Sequence, residues 1–137
     1  MAATVLMLAS AAIFLVIGTL HLIYTFFGSK LTPRDPALQK SMGEISPVIT
    51  KETTMWRCWV GFNASHSCSA ILFGLVYGYL ALAHGSFLFQ SPFLLVVGLS
   101  LLVGYMVLGK LYWFSIPFRA ISVAAVLYGA ALVVRWA

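Results

Sequence analysis

"CWVGFNASHSCSAILFGLVYGYLALAHGSFLFQSPFLLVVGLSLLVGYMVLG", Cys58 to Gly109, runs without a single Asp, Glu, Lys or Arg. A transmembrane helix uses roughly 20 apolar residues to cross a ~30 Å hydrocarbon layer, so this run is too long for one span and suits two joined by a short turn. "AHGSFLFQS" supplies the turn. Gly85 stands near the end of one helix, and Ser91-Pro92 opens the next, where the missing proline N–H does no harm. The charged residues that bound the run, Arg57 and Lys110, mark where the chain leaves the membrane on either side.

Two further uncharged segments flank it, one before Gly28 and one between Arg119 and Arg135, the latter opened by Ser115-Ile116-Pro117. Spans are therefore expected at about 3–27, 55–83, 92–109 and 117–136. Composition agrees: 62% of the 137 residues are hydrophobic and 8% charged, at a mean hydropathy of +1.02. An average soluble domain carries about 25% charged residues. The expected fold is all-α, a membrane-embedded four-helix bundle, with residues 1–137 forming a single transmembrane domain. The segment "LASAA" (Leu8 to Ala12) has small residues at a spacing like that of a signal-peptide cleavage site. No Lys or Arg precedes it and the apolar run continues well beyond it, so it reads as part of a retained span.

Seven of the eight basic residues (Lys30, Arg34, Lys40, Lys51, Arg57, Lys110, Arg119) fall in or beside the first and third loops, and only Arg135 lies on the other side. Positive charge concentrates on the cytoplasmic side of membrane proteins, so both termini are expected outside the cytoplasm. The net charge of +5 does not indicate nucleic acid, because the basic residues are scattered in loops without interleaved aromatics. Trp56, Trp59, Tyr112 and Trp113 would form a cytoplasmic aromatic belt and Trp136 part of the opposite one. Cys58 and Cys68 are ten residues apart on one helix, ~15 Å along its axis, too far for a disulfide.

The first loop, Gly28 to Thr54, is the one extended polar segment. "RDPALQKSM" predicts a short helix with Asp35 as N-cap and Pro36 first, and Ser46-Pro47 a cytoplasmic extension of the second span. Leu38 and Met42 would rest on the membrane surface with Lys40 among the headgroups, and the loop's length suggests a lid. Three small-residue pairs, Gly74/Gly78, Ser100/Gly104 and Ala125/Gly129, predict close helix approach within the bundle or in a homodimer. "NAS" at Asn63 matches a glycosylation sequon but lies at membrane depth, out of reach.

"GFNASHS", Gly61 to Ser67, carries Asn63, Ser65, His66 and Ser67 inside a span. In the first span Gly18, His21, Thr25 and Gly28 share one helical face, with Tyr24 beside them. His21 is ~9 Å from the cytoplasmic end of its helix, and Asn63 and His66 are ~10 and ~15 Å from theirs. A polar patch of His21, Tyr24, Asn63 and His66 is therefore expected in the cytoplasmic half, with Arg57 and Arg119 capping it from below. An intramembrane histidine is a functional-site candidate by default. His21 and His66 are the expected catalytic pair, and Tyr24, Thr25, Asn63, Ser67, Arg57 and Arg119 the expected ligand-binding residues. The competing reading makes Asn63, Ser65 and Ser67 structural glue between helices.

Asp35, Glu44 and Glu52 are the only acidic residues and none is in a span. That argues against a proton-coupled carrier built on an intramembrane carboxylate and against a carboxylate-rich metal site. Three classes remain: an enzyme or binding protein for a lipophilic small molecule, with histidine as proton shuttle; a haem protein ligated by His21 and His66; or an accessory subunit of a larger membrane complex, whose polar face docks on a partner subunit. The first is preferred, with no cofactor assigned.

"GTLHLIYTF", "SKLTPRDPALQKSM" and "TTMWRCWVGFNASHS" resemble the pattern of an uncharacterised family of small bacterial four-helix inner-membrane proteins, over roughly the first 70 residues. The resemblance implies a bacterial inner-membrane location and singles out His21, Asn63 and His66. It implies no activity.

Overall fold

A computed structural model describes residues 1–136. Six helices follow one another: α1 (Ala2–Phe26), α2 (Pro36–Glu44), α3 (Met55–Ala83), α4 (Gly85–Gln90), α5 (Pro92–Tyr112) and α6 (Ser115–Trp136). The fold is all-α. Four of the helices, α1, α3, α5 and α6, are long and apolar enough to cross a membrane, and at most a third of each span is buried within the protein. Their remaining surface is apolar too, with Val5, Val16, Leu72, Val96, Val126 and Val133 all facing outward. In water such faces would aggregate; against lipid tails they are matched. The chain is a multi-pass membrane protein.

Local signals place the helix ends. Asp35 caps α2, accepting from the Ala37 N–H at 2.9 Å, with Pro36 first in the helix. Ser91 caps α5 through the Leu94 N–H at 3.4 Å, again ahead of a proline. Beyond α1, Gly28 adopts φ +86°, a left-handed conformation that a Cβ would strain. Four sequence expectations need correction. The third span continues to Tyr112, bringing Lys110 into the last turn, where it complements the exposed carbonyls. The fourth begins at Ser115, so Pro117 is its third residue. The turn "AHGSFLFQS" contains the helix α4, which carries Leu88 and Phe89 into the core at 0% and 4% exposure. Ser46-Pro47 does not extend α3: Pro47 opens a turn closed by the Thr50 N–H, and the helix starts at Met55 behind Thr54, whose hydroxyl caps Arg57 N–H at 3.4 Å.

The chain forms two compact units. Among the described residues, one comprises 1–17 and 70–136, the other Gly18 to Ser69. The apolar core belongs to the first. Met7, Ala11 and Phe14 repeat at helical spacing on α1, Ala70, Phe73, Tyr77 and Ala81 on α3, and Ile121, Ala124, Tyr128 and Ala131 on α6, all buried. Phe14 meets Phe73 at 4.9 Å between centroids and Tyr105 at 5.3 Å, and Tyr77 stacks on Phe73 at 4.5 Å. Polar groups within this core are all answered. The Ser10 hydroxyl donates to Ala124 O at 2.8 Å, the Tyr77 hydroxyl to Leu94 O at 2.6 Å, and the Tyr128 hydroxyl to Leu95 O at 2.9 Å.

Glycines admit these contacts selectively. At Gly74 a Cβ would lie 2.7 Å from Leu15 Cβ and 2.8 Å from both Ala11 O and Leu15 N, so α1 and α3 are in backbone contact there. At Gly98, which the spacing rule overlooked, it would lie 2.5 Å from the Tyr128 hydroxyl and 2.7 Å from the Tyr77 ring. Gly104 and Gly129 have nothing within 4 Å, so two of the three small-residue pairs predicted for packing do not bring their glycine against another helix. Because Leu95 O keeps a helical partner position, Tyr128→Phe should lower stability by only about 1 kcal/mol. Thermal unfolding in detergent, compared with wild type, checks this.

Candidate functional site

The second unit, Gly18 to Ser69, is built differently. It contains no member of the apolar core, and within it α1 and α3 meet through polar side chains. His21 on α1 and Asn63 on α3 are joined directly, His21 Nε2 to Asn63 Oδ1 at 3.0 Å. Asn63 Nδ2 donates to the carbonyl of Trp59, one turn earlier, at 2.8 Å. The Trp59 indole N–H donates in turn to Leu31 O in the first loop at 2.9 Å. One chain of bonds thus ties α1, α3 and the loop.

This chain orients its own members. A carbonyl only accepts, so the Trp59 carbonyl requires the NH₂ end of Asn63 and turns the amide oxygen toward His21. His21 Nε2 is then the donor of this bond. His66 packs edge-on against His21, ring centroids 5.2 Å apart at an interplanar angle of 72°. The expected meeting of the two histidines therefore occurs, and Asn63 joins them.

Below this cluster a cleft of about 320 Å³ opens between the end of α1, the first loop and the start of α3. Tyr24, Thr25, Trp56, Trp59 and Asn63 are on its wall, together with Gln39 of α2 and the loop residues Gly28, Leu31 and Thr32. His21 and His66 are not on that wall, so His21 faces the cleft through Asn63. A second, more apolar groove shares Leu31, Thr32 and Trp59 with the first and adds Lys30, Leu38 and Met42. Leu38 and Met42, predicted on the membrane surface, flank this groove. The loop supplies walls to both clefts, pinned by the Trp59–Leu31 bond.

The remaining expected residues separate. Ser67 is fully buried, but its hydroxyl bonds to Asn63 O at 2.9 Å in its own helix. Ser65 bonds to Phe62 O, Ser69 to His66 O and Thr25 to His21 O in the same way. "GFNASHS" is thus tolerated in an apolar span because its hydroxyls bond back to carbonyls three or four residues earlier. Ser65 and Ser67 bond within α3, whereas Asn63 bonds across to α1. Arg57 is exposed and absent from the cleft wall, and Arg119, also exposed, belongs to the other unit. Lys30, not singled out from the sequence, lies with its ammonium 4.0 Å over the Tyr24 ring. His84, expected to be merely solvated, contacts the Tyr79 hydroxyl at 3.3 Å.

A haem between two histidines needs one nitrogen of each ring aimed at the iron from opposite faces of the macrocycle. Here the rings touch edge to face and His21 Nε2 is taken by Asn63, so the pair as packed does not fit that group. Among the described residues no three His, Cys, Asp or Glu side chains converge. Comparison with protein-family models, with curated proteins and with solved structures finds no match to this chain.

Proposed function

We propose that the protein binds a lipophilic small molecule held in the cleft between α1, the first loop and α3, with His21 acting through Asn63. The observation that carries this reading is the hydrogen-bond chain Leu31–Trp59–Asn63–His21, which holds a cleft-wall amide, that of Asn63, from both sides. An asparagine anchored at both ends loses little freedom on binding, so its second N–H is ready for a ligand oxygen. Trp56, Trp59 and Tyr24 offer flat apolar faces for the body of the molecule. His21 holds the Asn63 amide oxygen through Nε2, and Asn63 is the residue that touches the ligand. The concentration of seven basic residues on one side supports a cytoplasmic opening of the cleft. The resemblance of "TTMWRCWVGFNASHS" and its companion segments supports a place in a bacterial inner membrane.

Native mass spectrometry of protein extracted in a mild neutral detergent tests the reading. A stoichiometric lipophilic adduct on the wild type should fall about tenfold in occupancy in His21→Ala, the loss of one oriented hydrogen bond worth roughly 1.4 kcal/mol. Equal occupancy in both proteins would discard the cleft as a ligand site. A protein without adduct that co-purifies with another membrane subunit would instead make the cluster part of a docking face.

A further inference from the structure

The two clefts of the Gly18–Ser69 unit differ in chemistry and share a wall. In the first, Asn63 keeps one amide N–H beyond the bond to Trp59. The Trp56 indole N–H, the Gln39 amide and the Tyr24 hydroxyl have no partner among the described residues. The Thr25 hydroxyl proton is committed to His21 O. No carboxylate lies on this wall, in a chain with only three acidic residues. Lys30 brings a positive charge to its rim, the ammonium 4.0 Å over the Tyr24 ring. The site is thus rich in donors, poor in acceptors and flanked by a cation.

The second groove, of about 400 Å³, is lined mainly by apolar atoms of Leu31, Pro33, Leu38, Met42 and Trp59. Leu31, Thr32 and Trp59 border both spaces, and Lys30 edges the apolar one while touching Tyr24 of the polar one. A polar cleft continuing into an apolar groove across a three-residue wall has the shape of a head-and-tail site.

We infer that the occupant is a single-chain anionic amphiphile, its carboxylate or phosphate head set among Asn63, Trp56 and Lys30 and its acyl chain laid along Leu38 and Met42. This rests on the cleft reading above and narrows it. Donors without competing acceptors select a head that only accepts, and charge-assisted bonds from N–H groups to an anion are about twice as strong as neutral ones. Lys30 contributes attraction that a neutral head would not feel. A cationic head would meet Lys30 with nothing to offset it, since neither cleft carries a carboxylate.

The inference is tested on the full chain in a neutral maltoside, with adducts counted by native mass spectrometry. The probes are dodecanoate, dodecyl phosphate, dodecanol and dodecyltrimethylammonium. At least one anion should form a 1:1 adduct at about one tenth of the dodecanol concentration, and the cation none; whichever anion binds more tightly identifies the source as fatty acid or phosphate ester. Lys30→Gln should erase the preference for the anion while leaving dodecanol unchanged. Leu38→Ser should weaken dodecanoate but not hexanoate, whose chain stops short of the groove. If dodecanol matches both anions and Lys30→Gln changes nothing, the anionic head is wrong, although binding lost in Asn63→Leu would keep the cleft. If no probe forms a 1:1 adduct with wild type or with Asn63→Leu, both readings fall.

Discussion

Gly74→Ala should destabilise the protein by about 2–4 kcal/mol, because the new carbon meets backbone. The Cβ would stand 2.8 Å from Ala11 O and Leu15 N and 2.7 Å from Leu15 Cβ. Side-chain tips can swing aside, but helix backbone cannot, so α1 and α3 must separate around Phe14 and Phe73. That loosens the 4.9 Å ring contact at the centre of the core. Gly104→Ala and Gly129→Ala are the controls. Their added carbons have nothing within 4 Å, so both should be neutral or stabilising by up to about 1 kcal/mol through helix propensity. Thermal or denaturant unfolding in one detergent ranks the three variants. Equal losses at all three positions would mean that glycine matters here for a reason other than this helix contact.

Asn63→Leu should abolish ligand retention, with occupancy falling more than a hundredfold, and is the most damaging substitution for the proposed function. Leucine nearly matches asparagine in volume, so packing is roughly kept, but every polar contact at the junction is lost. His21 Nε2–H loses its acceptor, the cleft loses its donor, and the bond to the Trp59 carbonyl disappears. Two oriented hydrogen bonds at roughly 1.4 kcal/mol each amount to about a hundredfold in affinity. Asn63→Asp separates the roles: it keeps an acceptor for His21 but removes the donor, and it adds negative charge. It should keep the contact with His21 and still lose the adduct. Retention of the adduct in Asn63→Leu would show that the cleft is not the site.

The two effects come from different halves of the same helices, which explains how one protein combines a tight core with an open cleft. Residues before Ile17 and after Ala70 bury Phe14, Phe73, Tyr77 and Tyr128. Between Gly18 and Ser69 the contacts are few, directional and polar, and Trp59 remains 44% exposed. Segments with few buried apolar contacts open more easily than packed cores. A ligand site in this unit can therefore be reached without unfolding the core.

Much was legible in the sequence. The uncharged run from Cys58 to Gly109, the prolines at 36 and 92 and the Asp35 cap act through hydrophobicity and local backbone chemistry. These forces operate within a few residues, so the sequence alone determined a multi-span all-α protein, the start of α2, the end of α3 and the shared depth of His21, Asn63 and His66. Depth follows from a constant rise per residue. Rotation about the helix axis and the neighbour met there do not, since they depend on how distant side chains pack. Only the tertiary structure decided that Gly74 and Gly98 take the close contacts while Gly104 and Gly129 do not. It also decided that Asn63, rather than either histidine, lines the cleft, and that Ser65 and Ser67 bond within their own helix. Lys30 reached the site because a loop of the chain folds back to Trp59, a contact 28 residues apart that no periodicity encodes.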